Sequence, residues 1–166
     1  LENSINENIK DELIEKWIKA SEKVVISDIL NTFQKCGFFI NNAEKYTFEE
    51  IIYGMGIPEK LQKLTKRWLQ VLENEKIINR ENELYYLVGE VNCLNSDKQW
   101  EEFYKIEEEF NYGKDFVDYL KKSSQNLVAL IKGDEDPLNL LFPKGDIKPA
   151  LASYCLLYTS PSPRDP

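Results

Sequence analysis

The sequence predicts a mainly α-helical chain with one small β-hairpin. Apolar residues recur at three- and four-residue spacing along most of the 166 positions. The only β-prone runs are two short ones, Ile77 to Ile78 and Leu84 to Val88. Before residue 155, Gly and Pro stand singly at the ends of the periodic stretches. A 42% apolar set that includes nine Tyr, eight Phe and three Trp is enough for a packed core, and the length suits one domain.

Taken in order, Ile9, Leu13, Trp17 and Ile18 keep helical spacing, and Val25, Ile29, Leu30 and Phe33 repeat it before Gly37 offers a left-handed stop. Two opening helices are expected. Thr47 followed by Glu50 is a capping box, which starts a short helix through Ile51 and Ile52 that ends at Gly54 or Gly56. Pro58 stands where a first helical residue belongs, and Leu61, Leu64, Trp68, Val71 and Leu72 then share one face. The two β-prone runs form a hairpin near residues 76–88 around the polar connection NRENE. Three helices followed by a two-stranded wing is the order of a winged helix, so residues 22–89 read as a winged-helix-like subdomain after a leading helix at 1–21.

A second helical group is expected over residues 90–154. Ser96 and Gln99 form a capping box ahead of Trp100, Phe103, Ile106 and Phe110, and Phe116, Val117, Tyr119 and Leu120 continue that helix. Leu127, Val128, Leu130 and Ile131 make a short helix that Gly133 closes, and Asp136 before Pro137 caps one more turn carrying the apolar island Leu138, Leu140, Leu141 and Phe142.

Composition excludes several chemistries. There is no histidine, which removes the commonest general base, metal ligand and nucleophile partner. Cys36, Cys93 and Cys155 show no paired spacing, so neither a zinc nor a redox motif is supported. No Gly-rich phosphate loop is present. A net charge of −8 disfavours nucleic acid, and the would-be recognition helix answers it weakly: Lys60, Lys63, Lys66 and Arg67 face Glu59, Glu73 and Glu75 in the count. Lys76 and Arg80 on the wing are offset by Glu81 and Glu83. The run EEFYKIEEEF reads as a solvated helical face, with Glu101, Glu102, Glu108 and Glu109 away from the aromatic side. Trp17, Trp68 and Trp100 read as core. No segment has the ~20 apolar residues of a membrane helix, and a cytoplasmic location is the default expectation. No catalytic, cofactor-binding or metal residue is assigned.

From Cys155 the chain reads CLLYTSPSPRDP, an abrupt turn to Ser and Pro. Cys155 to Asp165 resembles the translation of a transposase sequencing adapter, so residues 155–166 are expected to be an artefact without fixed structure, with the natural sequence ending near Tyr154. The chain begins at Leu1 rather than Met, so its true start is expected to lie upstream.

The stretch YTFEEIIYGMGIPEKLQKLTKRWLQVLENEKIINRENELYYL, followed by QNLVALIKGDEDPLNLLFPKGD, resembles the segment leading into the methyltransferase domains of modular polyketide synthases and hybrid polyketide/nonribosomal-peptide assembly lines. The resemblance covers roughly residues 14–154. It is carried by the Trp68–Leu69 pair and, more specifically, by Gly133, Asp136, Pro137, Leu138, Leu141, Phe142 and Pro143. It implies a helical cap before an S-adenosylmethionine-binding Rossmann domain, shaping the channel for an acyl chain on a carrier protein. The cofactor and catalytic residues would then lie after Tyr154, and the cap would meet the Rossmann domain through Leu138, Leu140, Leu141 and Phe142. Methylation at the α-carbon of a β-ketoacyl thioester is the leading expectation, with O-methylation open. A winged-helix transcription regulator and a winged-helix dimerisation module are the alternatives.

Overall fold

The computed structural model describes residues 2–89, 95–111 and 113–135. Within them the chain is mainly helical with a small antiparallel sheet. The apolar island, Asp136 and the tail from Cys155 lie outside the described residues, as do Cys93 and Cys155 themselves.

The first element is one helix, α1 (Glu2–Lys35), where two were expected. The stretch KASEKV between the two apolar repeats holds neither Gly nor Pro, so nothing interrupts the hydrogen-bond ladder. Its hydroxyl residues are accommodated by bonding backwards: Ser21 Oγ donates to the Ile18 carbonyl at 2.6 Å, Ser27 to Lys23 at 2.6 Å and Thr32 to Asp28 at 2.7 Å. At 34 residues α1 is about 51 Å long.

A strand too short to show in the sequence pattern, β1 (Lys45–Tyr46), leads into α2 (Phe48–Met55). The capping box forms as expected: Glu50 N donates to Thr47 Oγ1 at 3.1 Å while Thr47 N donates to Glu50 Oε2 at 3.2 Å. Pro58 stands before a 3₁₀ turn, Glu59–Leu61, and α3 (Gln62–Asn74) follows, with Trp68, Leu69 and Leu72 buried. The hairpin is β2 (Ile78–Glu81) and β3 (Leu84–Leu87), with Ile78 opposite Leu87 and Arg80 opposite Tyr85. Asn82 and Glu83 both take positive φ, 52° and 65°, which is the two-residue turn whose twist suits a hairpin. β1 adds to the far side of β3, giving the order β1-β3-β2.

α4 (Ser96–Phe110) and α5 (Lys114–Gln125) are separate, where one continuing helix was expected. Asn111 takes a left-handed conformation (φ 53°) and ends α4. α6 (Leu127–Ile131) is the short helix that the Leu127 to Ile131 pattern anticipated. Gly133 follows it at φ 80°, and a Cβ there would meet Pro58 Cγ at 3.0 Å. Both the backbone angle and the neighbour therefore select glycine.

Two apolar clusters share α1. One gathers Leu30 and Phe33 with Phe39, Ile51, Met55, Trp68, Leu69, Leu72, Ile78 and Tyr85, and α6 returns to it through Leu127, Leu130 and Ile131. The other joins Trp17, Ala20 and Val24 to Trp100, Phe103, Val117 and Leu120. Val25 packs against both. Phe39 is a conspicuous member of the first: fully buried, at φ 58°, with its carbonyl accepting from Gln34 Nε2 at 3.0 Å. A left-handed aromatic residue is uncommon, and rings at 5.7 Å from Phe33 and from Tyr46 hold it there.

Candidate functional site

The principal seam of the molecule runs between α1 and α4, and two crossed polar pairs fasten it. Trp17 Nε1 of α1 donates to Glu107 Oε2 of α4 at 2.5 Å. In the other direction Trp100 Nε1 of α4 donates to Asp28 Oδ2 of α1 at 3.0 Å. Each helix thus supplies one indole and one carboxylate. On α1 the two partners are eleven residues apart and on α4 seven, both close to whole numbers of turns, so each pair of positions faces the same neighbour.

Both carboxylates are 8% exposed, a burial that a charged group tolerates only with donors around it. Glu107 gains a second donor in the Gly113 amide, at 2.8 Å. Asp28 gains the Ser96 hydroxyl at 2.6 Å. Burial raises the Asp28 carboxyl above its ordinary value, while Ser96, Trp100, Lys121 and Ser124 favour its ionised form and temper the rise. Lys121 Nζ also lies over the Trp100 ring, 4.7 Å from its centroid.

The expected Ser96–Gln99 capping box does not form. Asn95 caps α4 instead, its side chain accepting from Lys98 N at 3.3 Å, and Ser96 is released to serve Asp28. Ser96 is itself the first residue of the helix, so its side chain points across to α1 rather than back along α4.

The glutamate run divides. Glu101, Glu102, Glu108 and Glu109 are exposed as the sequence suggested, but Glu107 is buried. A run of five acids hides which one is inward. The informative signal is phase, since Glu107 stands seven residues after Trp100 on the aromatic face. Trp17, Trp68 and Trp100 are all core residues, at 6%, 3% and 3% exposure. Leu69, the second residue of the Trp-Leu pair, is fully buried. Gly133 packs on the Pro58 turn, so the chain leaves the described region beside α3.

Lys60, Lys63, Lys66 and Arg67 are exposed, and Lys66 lies over the Phe48 ring at 5.3 Å. Tyr46 donates to Glu44 at the surface beside β1; burial, then that carboxylate, pushes the phenol up to about 12. Among the described residues no group of three or more His, Cys, Asp or Glu is placed to hold a metal, and no helix is long and apolar enough to cross a membrane. A half-open groove of about 190 Å³ lies beside the seam, between Lys16, Lys19, Ala20 and Lys23 of α1 and Gln99, Glu102 and Ile106 of α4.

No protein-family model matches the chain. It is similar to the pyochelin synthetase PchF of Pseudomonas aeruginosa strain UCBPP-PA14, 25% identical over 144 residues that make up 87% of this chain and 8% of that protein. The PchF of strain PAO1 is 29% identical over 100 residues, 60% of this chain and 6% of that one. The chain therefore spans less than a tenth of the curated relatives it matches. In fold it is similar to the CurJ carbon methyltransferase, with a TM-score of 0.67 at 17% identity over 91% of this chain and 42% of that one. The DszA carbon methyltransferase gives a TM-score of 0.64, also at 17% identity, over 87% of this chain and 37% of that one.

Proposed function

We propose that this chain is the helical cap of an S-adenosylmethionine-dependent carbon methyltransferase in a polyketide/nonribosomal-peptide assembly line, inactive by itself. The observation that carries the reading is the coverage: 91% of this chain follows the fold of 42% of a carbon methyltransferase, as a lesser part of a larger enzyme would. The match to a pyochelin synthetase over 87% of this chain supports the assembly-line setting independently. The winged-helix reading of residues 22–89 is supported by the order α1, β1, α2, α3 and hairpin.

The described residues do not suit the cofactor. The sheet is antiparallel throughout, and the glycines stand singly rather than in a turn between a parallel strand and a helix. No step of methyl transfer is therefore assigned to this chain. Its contribution is positional: a rigid helical wall that covers the acyl thioester on its carrier and excludes water from it. The island Leu138, Leu140, Leu141 and Phe142 is the proposed contact with the Rossmann domain.

The gene's continuation, expressed joined to this chain, is the test. Mass spectrometry of a β-ketoacyl pantetheine thioester incubated with S-adenosylmethionine should show α-carbon methylation by the joined protein. Calorimetry should show no micromolar binding of S-adenosylmethionine by the isolated chain. Methylation at oxygen would correct the regiochemistry, and tight binding by the isolated chain would overturn the division of labour.

A further inference from the structure

We infer that the groove between α1 and α4 docks an acidic amphipathic helix of a partner protein. Its floor is apolar, made by Ala20 and Ile106, and Lys16, Lys19 and Lys23 line one wall, against Glu102 as the sole acid among the lining residues. The three lysines fall at i, i+3 and i+7 and so form a basic stripe about 10 Å long. That stripe stands out on a chain of net charge −8. Glu22 borders it and feels the charge of Lys19, yet none of the three lysines is held in an ion pair among the described residues.

Size decides the kind of occupant. A volume of about 190 Å³ falls below the ~300 Å³ at which pockets begin to enclose small organic ligands, so the groove suits one inserted side chain rather than a cofactor. A single phosphate is compact, whereas the basic stripe is spread over two helical turns. Carboxylates one and two turns apart on a partner helix match that spread, with one apolar side chain between them reaching Ala20 and Ile106. The walls are also fixed in advance, because the Trp17–Glu107 and Trp100–Asp28 bonds join the same two helices. Binding then orders only the lysine side chains.

This inference rests on the α1–α4 geometry and not on the methyltransferase reading. A fluorescein-labelled, hydrocarbon-stapled helix of roughly fourteen residues, about four turns, with one leucine flanked by glutamates, is titrated with the full chain and followed by anisotropy. Saturable binding should weaken about tenfold when salt rises from about 50 to about 300 mM. The combined Lys16→Gln, Lys19→Gln and Lys23→Gln variant should bind about tenfold more weakly with an unchanged melting temperature. Glu102→Lys should bind several-fold more tightly, a gain that misfolding does not produce. Equal binding by the triple variant, weaker binding by Glu102→Lys, or equal binding of a peptide with lysines in place of its glutamates would each overturn the proposal. So would displacement of the peptide by millimolar pyrophosphate, which would make the groove a phosphate site.

Discussion

Asp28 is the residue whose environment has the clearest solution consequence. Because burial raises its carboxyl, the folded chain holds that proton more firmly than the unfolded chain does. The resulting stability is fully present below the ordinary carboxylate value of about 3.9 and is lost as pH rises through the raised folded value. Asp28→Asn keeps an acceptor for Trp100 and can donate to Ser96 Oγ, so it should gain on the native chain in urea melts as pH rises above about 4. A parallel pair of curves would show that Asp28 is solvated. Trp68→Ala, by contrast, removes a large ring packed 6.5 Å from Phe33 and should cost about 3 to 5 kcal/mol in a thermal or urea melt. The apolar residues that build these sites were legible from spacing alone. Asp28 and Glu107 were not, because a carboxylate turns inward only where another helix brings donors, and no local pattern records that.

Among the elements, those with their own punctuation are legible in the sequence. α2 has its capping box, α3 its amphipathic face, and α6 its terminal Gly133. Structure departs from sequence pattern where tertiary contact decides. α1 is continuous because both halves of its apolar pattern find partners, and β1 is two residues long and exists only by pairing with β3. Asn95 displaced Ser96 as cap because Ser96 is needed across the seam. The seam itself is testable by a double-mutant cycle on Trp17→Phe and Glu107→Gln. Trp17→Phe alone leaves Glu107 with the Gly113 amide and should cost about 1 to 3 kcal/mol, much of it coupled to Glu107. Gly133→Ala should cost more than about 1 kcal/mol in the same melts, since it strains the left-handed turn and crowds Pro58.

At the scale of the whole molecule, α1 is the member common to both clusters, and its burial begins abruptly. Residues 7–12 are exposed, and Trp17 is the first buried side chain among those described. Amide hydrogen exchange should accordingly be fast before about residue 16 and slow from Trp17 to Phe33. Uniform protection along α1 would contradict this. The fold class and the helical grouping were readable from periodicity, while the return of α6 to the first cluster is a long-range contact that periodicity does not carry. Continuity of α1 also sets a rotational phase for the molecule. One residue inserted between Trp17 and Asp28 would turn everything upstream by about 100° and advance it about 1.5 Å, carrying the indole off the side of α4 where Glu107 waits. A whole-turn change restores that phase but still displaces Trp17 by about 5.4 Å along the axis, so the spacing of α1 is tied to that of α4: length can change in that stretch only if the Trp100–Glu107 spacing changes with it.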